Sequence, residues 1–255
     1  MASSPLPDLL KSLGLHSSAA HLDDFLAQAT KRRWSPAQVL EQLVEAEQQE
    51  RTRRSLERRL TRARIGRFKP MADFDWNWPT AIDRPAVETA LALDFLQNDR
   101  NLILVAAQGL GKSMLAQNVA HQAVLAGHRV LFTTAAQLLL DLGAQDSARA
   151  LARRLNHYCQ PALLAIDEIG YLSYDARAAD LLFQVISRRY EKKSLVLTTN
   201  LPFSDWPSIF PNAGSAIALI DRLVHHADLI KIEGTSYRRR VAENQRKPSR
   251  PPAHH

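Results

Sequence analysis

The chain has 255 residues, of which 45% are hydrophobic and 23% are charged. This composition is typical of a globular protein and excludes a collagen-like or wholly disordered chain. Its one cysteine, Cys159, cannot form an intrachain disulfide, which favours a reducing compartment. Because no secretory signal and no run of about 18 apolar residues occurs, we predict a cytoplasmic protein with no membrane partner.

The positive charge of the chain is concentrated in two segments. Residues 51–69 contain eight Arg and one Lys against one Glu, a local charge of +8. Residues 238–250 contain six basic residues against Glu243. Such density predicts contact with an anionic polymer, DNA or RNA, although a solvated helix and a solvated tail are the alternatives. The residues predicted to contact DNA are Arg51, Arg53, Arg54, Arg58, Arg59, Arg62, Arg64, Arg67 and Lys69.

The first 65 residues show the apolar period of α-helices. Two short helices are predicted, over residues 9–15 and 19–29. A third begins at Ser35, because Pro36 follows as its first residue and Gln38 completes a capping box. Its apolar face becomes polar in the middle and resumes before Gly66, which is expected to end the helix. This pattern predicts a helix that belongs to a helical domain at one end and carries its arginines as a connecting arm at the other.

The remainder of the chain alternates strands with helices. Residues 70–85 are interpreted as an ordered linker, and a helix is predicted over 85–98. Apolar strands are predicted over 102–106, 129–133, 163–166, 195–199 and 229–232. This alternation predicts an α/β fold with a parallel sheet covered by helices on both faces. The predicted domains are a helical one over 1–69 and an α/β one over 70–240, followed by a disordered basic tail over 241–255.

The strongest chemical signal is the run AAQGLGKS at residues 106–113, between a predicted strand and a predicted helix. In a phosphate-binding loop, glycines let backbone N–H groups surround the phosphates, a Lys reaches their oxygens, and a hydroxyl holds Mg²⁺. Ala106 stands where the pattern has its first glycine, and its methyl group would crowd a turn with positive φ. The residues predicted to bind nucleotide are Gln108, Gly109, Leu110, Gly111, Lys112, Ser113 and Met114.

Polar side chains end two further predicted strands. Asp167 and Glu168 follow one apolar run, and Asn200 follows another. Because the carboxyl ends of parallel strands meet at the ligand-binding edge of a sheet, we expect these groups near the loop. Asp167 is predicted to hold Mg²⁺ with Ser113, and Glu168 to polarise an attacking water. Asn200 is predicted to hold that water beside Glu168, with turn chemistry as the alternative.

Three smaller sets of residues have local interpretations. The run IDRLVHH carries Arg222, and the run YRRR at residues 237–240 follows the last predicted strand. One of these arginines is expected to reach the γ-phosphate of a neighbouring subunit, with a solvated arginine or an intrachain ion pair as the alternatives. His225 and His226 have no companion at metal-ligand spacing and are interpreted as structural. Core packing is the favoured interpretation of three tryptophans, with adenine stacking and contact with a partner as the alternatives: Trp34, Trp76 and Trp78.

Together, these motifs resemble those of the IstB transposition helper ATPases, relatives of the DnaC helicase loaders in the initiator group of AAA+ proteins. The resemblance rests on the phosphate loop and on IDEIGYL, DLLFQVISRRYEK, TTNLPFSDW, IDRLVHHA and GTSYR, and it extends to the N-terminal helices. It implies an AAA+ P-loop core in which Asn200 is the sensor residue, Arg222 a trans-acting arginine finger and Arg238 the second sensor. It also implies ATP as the nucleotide, self-assembly on DNA and stimulation of a cognate transposase.

We therefore predict an ATP-dependent transposition helper that binds duplex DNA, forms a homo-oligomer and hydrolyses ATP. Few residues follow the last predicted strand, so we expect no C-terminal lid domain and slow hydrolysis unless a neighbouring protomer covers the nucleotide. The main competing prediction is a DnaC-like replicative helicase loader, which would prefer single strands. A small-molecule kinase and a module that binds ATP without hydrolysing it are two weaker candidates.

Overall fold

The computed structural model describes residues 5–171, 173–237 and 239–240, without the side chains of residues 213 and 215. The chain forms two compact units that divide between Arg58 and Arg59. This division lies inside the basic segment, whereas the boundary expected from the sequence follows residue 69. The tail expected over 241–255 lies outside the described residues.

The first unit is helical. It contains α1 (Leu6–Ser12), α2 (His16–Ala20), α3 (Leu22–Arg32) and the greater part of α4 (Pro36–Ala63). The predicted capping box begins α4, since Gln38 N donates to Ser35 Oγ at 3.3 Å and Ser35 N donates to Gln38 Oε1 at 2.8 Å. The helix ends at Ala63 because Arg64 has a left-handed φ of 54°. It therefore ends before Gly66, the residue expected to end it.

The carboxylate of Glu47 joins α2 to α4 inside the first unit. Glu47 is 5% exposed and accepts hydrogen bonds from Ser18 N at 3.1 Å and Ser18 Oγ at 2.9 Å. Arg51 Nε donates to the same carboxylate at 3.3 Å. Burial raises the pKa of Glu47, but the Ser18 hydrogen bonds and Arg51 outweigh burial and hold the pKa below its ordinary value. The group that connects the two helices is therefore a charged carboxylate.

The second unit is built on a six-stranded sheet. Its strands are β1 (Ala81–Ile82), β2 (Asn101–Ala106), β3 (Val130–Thr134), β4 (Leu163–Ile169), β5 (Ser194–Thr199) and β6 (Ala227–Glu233). Their order is β1-β6-β2-β5-β4-β3, and β2 to β6 run parallel, which confirms the predicted sheet. The short β1 lies in the segment interpreted as a linker and pairs antiparallel with β6. This order places β5 between β2 and β4.

Helices enclose the apolar strands of this sheet. They are α5 (Arg84–Ala92), α6 (Asp94–Gln97), α7 (Lys112–Leu125), α8 (Ala135–Gly143), α9 (Ala148–Cys159), α10 (Ala176–Arg189) and α11 (Ala213–Val224). The single helix expected over 85–98 is wrong, because Leu93 has a left-handed φ of 71° and separates α5 from α6. No helix in the described ranges is both long enough and apolar enough to cross a membrane.

Arg189, at the end of α10, is a buried cation that is 1% exposed. Its guanidinium donates to five backbone carbonyls, those of Tyr158, Cys159, Pro161, Ala162 and Ser194. Burial lowers the pKa of Arg189 to about 10, because the charged form loses its water. The carbonyls compensate this loss and join the end of α9 and the start of β5 to α10.

We expect Arg189→Met to lower the free energy of unfolding by about 3 kcal/mol, because it leaves several buried carbonyls without a donor. The measurement is urea unfolding followed by circular dichroism. Arg188→Met is the matched control, since Arg188 is exposed and its change should stay within about 0.5 kcal/mol. Equal stability of the two variants would contradict a structural role for the Arg189 hydrogen bonds.

Candidate nucleotide-binding site

The loop between β2 and α7 contains two glycines in the left-handed region. Gly109 has a φ of 80° and Gly111 a φ of 90°. A Cβ on Gly109 would lie 2.2 Å from Ser236 Oγ, and one on Gly111 would lie 2.8 Å from Phe74 Cε2. Both positions therefore need glycine for conformation and for space. Ala106 is instead the last residue of β2 and has a negative φ. Its methyl group would have crowded the loop only at a positive φ, so alanine is accommodated at this position.

Lys112 and Ser113 begin α7 and bring a cation and a hydroxyl to the loop. Lys112 Nζ donates to Ala106 O at 2.6 Å and to Ala107 O at 2.8 Å, so the ammonium lies within the loop. Ser113 Oγ donates to Asp167 Oδ1 at 3.1 Å. The N-terminus of α7 adds the positive end of a helix dipole. This arrangement suits an anion such as a phosphate chain.

Asp167 and Glu168 lie at a β-bulge near the end of β4. The register of β4 against β5 shifts between Ile166 and Ile169, and Glu168 has a left-handed φ of 63°. Neighbouring side chains of a regular strand face opposite sides of the sheet, and a bulge re-aims them. Asp167 is 7% exposed and bonds Ser113, whereas Glu168 is exposed. The bulge thus provides one buried and one solvent-facing carboxylate.

Thr198, on β5, connects these two acids. Its hydroxyl makes a short hydrogen bond to Asp167 Oδ1 and accepts one from Glu168 N at 2.9 Å. Thr198 is 0% exposed and pairs with Leu104 of β2, which places it between the loop strand and the acid strand. In the sequence, nothing distinguishes Thr198 from Thr199. The signal available in the sequence was a hydroxyl side chain in an apolar strand, because a hydroxyl buried in such a strand needs a hydrogen-bond partner.

Asn200 directly follows β5, at the same end of the sheet as Glu168. Its neighbour Thr199 pairs with Ile169 of β4, so Asn200 and the bulge end adjacent strands. Leu201 N donates to Thr199 Oγ1 at 3.1 Å and holds the turn that carries Asn200. The structure therefore brings Asn200 to the edge of the sheet that also carries the acids and the loop.

A cleft of about 400 Å³ lies beside the loop. Its lining includes the aromatic side chains of Phe68, Phe74, Trp78 and Tyr237. Trp78 Nε1 donates to Thr235 O at 2.7 Å, and Tyr237 N donates to Gly109 O at 3.0 Å. The segment after β6 is thereby attached both to the loop and to the aromatic wall of the cleft.

Two sets of expectations change at this cleft. Trp78 lines the cleft, so its interpretation as a core residue is wrong, and the tryptophan with 1% exposure is Trp206. Trp34 and Trp76 are only half-buried. Arg67 and Lys69, which the sequence assigns to DNA, also line the cleft. The last residues of the basic segment therefore lie at the candidate nucleotide site.

Arg222 lies on α11 and is half-buried. Its Nη1 donates to Ala218 O at 2.9 Å, and its guanidinium lies 4.7 Å from the centre of the Phe183 ring. Within the single chain, Arg222 therefore interacts with its own helix and with α10. Arg238, the second sensor implied by the resemblance, lies outside the described residues.

The basic segment differs along its length in how its arginines are paired. Arg53 and Arg54 lie 2.7 Å and 2.5 Å from Glu50, and Arg53 also contacts Glu57 at 2.5 Å. The hydrogen bond from Arg53, with help from Arg54, lowers the pKa of Glu50 to about 2, so this carboxylate stays charged. The expected charge of +8 omits Glu50, which precedes the segment. The net positive charge around Arg53 and Arg54 is therefore lower than the +8 counted over residues 51–69 suggests.

Two arginines near the division between the units are less constrained. Arg58 and Arg62 are exposed, and neither forms an ion pair with a described carboxylate. Arg59 differs, because its Nε donates to Val124 O at 3.3 Å near the end of α7. Arg58 and Arg62 are thus the arginines of α4 whose charge is most available to an external anion.

Comparison with known proteins identifies the family. The sequence pattern of the IstB-like ATP binding proteins matches residues 8–245. The chain belongs to the IstB-like ATP-binding protein family. A candidate ATP-binding protein of insertion sequence IS21 from Pseudomonas aeruginosa is 36% identical over 230 residues, which cover 90% of this chain and 87% of that one. One of insertion sequence IS5376 from Geobacillus stearothermophilus is 33% identical over 84% of this chain and 86% of its own.

Solved structures show the same fold class. The structure of DnaI has a TM-score of 0.54 at 20% identity and covers 66% of this chain and 92% of its own. The replication initiator DnaA bound to AMPPCP and single-stranded DNA has a TM-score of 0.52 at 18% identity, covering 68% and 55%. With its P-loop and parallel sheet, this IstB-like chain is an ATPase with an AAA+-type fold, and its nucleotide is ATP.

We expect Thr198→Val to lower kcat for ATP hydrolysis at least about tenfold. In metal sites, loss of a hydrogen bond that supports a ligating carboxylate lowers metal affinity or activity by about 10- to 100-fold. Valine keeps the branched shape but leaves the Glu168 N–H and Asp167 Oδ1 without this buried partner. The melting temperature should therefore fall modestly, while the protein stays folded and its affinity for ATP changes little. Steady-state hydrolysis and equilibrium nucleotide binding measure the two quantities. Thr198→Ser should restore the rate, and an unchanged kcat in a folded Thr198→Val protein would contradict the role of this hydroxyl.

Proposed function

We propose that this chain is a transposition helper that binds ATP with Mg²⁺, assembles on duplex DNA, hydrolyses ATP and recruits or stimulates a transposase. The observation that carries the proposal is the hydrogen-bonded series Ser113, Asp167, Thr198 and Glu168 N beside the Lys112 loop. The relatives support the transposition context, since they are described as ATP-binding proteins of insertion sequences.

The residues present fit a magnesium ion. Asp167 is buried, and the partners of its Oδ1 are the neutral hydroxyls of Ser113 and Thr198, so a cation would neutralise its charge. Its carboxylate and the Ser113 hydroxyl are hard oxygen ligands, the type that Mg²⁺ prefers. When bound, the ion would neutralise charge that develops on the transferring phosphoryl group. Ser113 and Asp167 would hold it.

The remaining side chains of the site have roles in ATP binding or in hydrolysis. Lys112 exchanges its two carbonyl partners for phosphate oxygens of ATP. Glu168 faces solvent, where its carboxylate polarises the attacking water and accepts its proton, and Asn200 orients that water. Trp78 and Tyr237 supply aromatic faces for the adenine ring.

Duplex DNA is the proposed partner of the basic helix. Arg58 and Arg62 lie one turn apart on α4, both exposed, and can neutralise backbone phosphates without reading sequence. The arginines already paired with Glu50 contribute less, because each must give up a carboxylate to take a phosphate. Binding to DNA would raise the local concentration of protomers and so favour assembly.

Self-assembly completes the proposed active site. Arg222 is donated to the γ-phosphate bound by a neighbouring protomer, where it stabilises the charge of the transition state. Its present partners, a backbone carbonyl and the Phe183 ring, are weak enough to exchange for a phosphate oxygen. Hydrolysis is therefore slow in the isolated chain and faster in the assembly.

Reversal of the unpaired arginines tests the DNA proposal. Arg58→Glu combined with Arg62→Glu should weaken duplex binding of every sequence and reduce the slope of log K against log salt by up to about 1.8, since each lost phosphate contact removes about 0.9. Fluorescence anisotropy of a labelled duplex over a salt series gives both quantities. The charge-matched control reverses Arg53 and Arg54, and it should change the slope less because Glu50 and Glu57 already pair with them. Wild-type affinity and slope in the Arg58 and Arg62 variant would contradict DNA contact by this helix.

Mixing two inactive variants tests the shared site. Arg222→Ala keeps an intact Lys112 loop, and Lys112→Ala keeps an intact Arg222, so mixed assemblies on DNA should regain part of the ATPase activity that each variant lacks. A trans-acting arginine is worth about 10³- to 10⁵-fold in rate in other NTPases, so the recovery is measurable. A tagged pull-down on DNA must first show that the variants co-assemble. If confirmed mixed assemblies stay inactive, Arg222 acts within its own chain.

A further inference from the structure

Glu191, His225 and His226 form a polar cluster where α10 and α11 end, on a part of the second unit that the ATP site does not use. Glu191 Oε1 lies 3.8 Å from His225 Nδ1 and 3.5 Å from His226 Nε2. Their candidate donor atoms all lie within 4.8 Å of one another. All three side chains are about half exposed, at 52%, 52% and 47%. They are therefore accessible to an ion from solvent.

The backbone holds these side chains on two fixed turns. Glu191 has a left-handed φ of 54°, and Lys193 N closes its turn by donating to Arg189 O at 3.0 Å. Arg189 is the buried cation bonded to five carbonyls, so this turn is attached to the core. On the other side, Asn101 N donates to His226 O at 2.7 Å. Little conformational entropy remains to be lost if a ligand joins the two turns.

We propose that Glu191, His225 and His226 form a binding site for a borderline divalent cation, with Zn²⁺ as the best fit. Two imidazoles and one carboxylate are a donor set that zinc accepts in tetrahedral sites, with a water in the fourth position. Donors bound at about 2.0–2.1 Å on a tetrahedral ion lie about 3.3 Å apart, close to the two measured separations. Mg²⁺ prefers oxygen donors, so the site differs in ligand chemistry from the Ser113 and Asp167 pair.

One existing contact competes with the ion. The hydroxyl of Tyr190 lies 2.7 Å from His225 Nδ1, and a cation bound at that nitrogen displaces it. The ion would join the turn after α10 to the end of α11. Arg222 lies on α11 three residues before His225, so the bound cation restrains the helix end that carries this arginine.

Zinc titration of the full chain tests the site. Zn²⁺ is added without nucleotide, in competition with a chromophoric chelator, and free Mg²⁺ in excess should not displace it. The wild type should bind one equivalent that His225→Ala combined with His226→Ala loses. Glu191→Gln should lower the affinity for that equivalent of zinc at least about tenfold, because one of the three proposed protein ligands is lost. ATP affinity and the melting temperature of each variant without zinc show that the fold is intact.

The chain supplies a matched control in a second histidine pair. His254→Ala combined with His255→Ala removes the same residue types elsewhere, and this variant should retain the equivalent that the His225 and His226 variant loses. The proposal is overturned if zinc binding survives loss of His225 and His226, or if it disappears with His254 and His255. It is also overturned if Glu191→Gln binds zinc as tightly as the wild type, since the carboxylate is then not a ligand.

Discussion

The geometry of the candidate ATP site depends on the hydrogen bonds of one buried hydroxyl, that of Thr198. It bonds the carboxylate of Asp167 and the backbone N–H of Glu168, and Asp167 in turn bonds Ser113 at the start of α7. A left-handed non-glycine residue such as Glu168 costs about 1 kcal/mol or more unless its surroundings hold it. The hydrogen bond from its N–H offsets that strain, so the acid bulge, the phosphate loop and β5 are held as one body.

This arrangement follows from the strand order, which local sequence does not encode. The loop glycines, the two acids and Asn200 could be predicted because each motif ends an apolar strand, and parallel strands end at one edge. Thr198 could not, because its role needs β5 to lie between β2 and β4. The two-residue β1 is too short to show a period, and the break at Leu93 arises from a backbone conformation that a helical pattern does not reveal.

Charge counted over a window also differs from charge presented at a surface. The basic segment contains one Glu, yet on a helix its arginines meet acids three and four residues away, including Glu50 outside the window. Farther along, Arg67 and Lys69 line the nucleotide cleft. One run of positive residues therefore divides into paired arginines, available arginines and nucleotide-cleft cations, a division that only the three-dimensional placement of each side chain could reveal.

The two cations assigned to phosphate chemistry in the proposed function, Lys112 and Arg222, both have partners within their own chain. Lys112 bonds two loop carbonyls, and Arg222 bonds a helix carbonyl and lies over an aromatic ring. Each hydrogen bond from these charged donors to a neutral carbonyl is worth about 1.5–3 kcal/mol, less than an ion pair with a phosphate oxygen in a site shielded from water. Under the proposed function, Lys112 exchanges its carbonyl partners for phosphate oxygens of ATP bound to its own chain, whereas Arg222 gains a phosphate only when another protomer presents one. If Arg222 acts in trans as proposed, the same type of contact allows a single chain to bind nucleotide but makes hydrolysis depend on assembly.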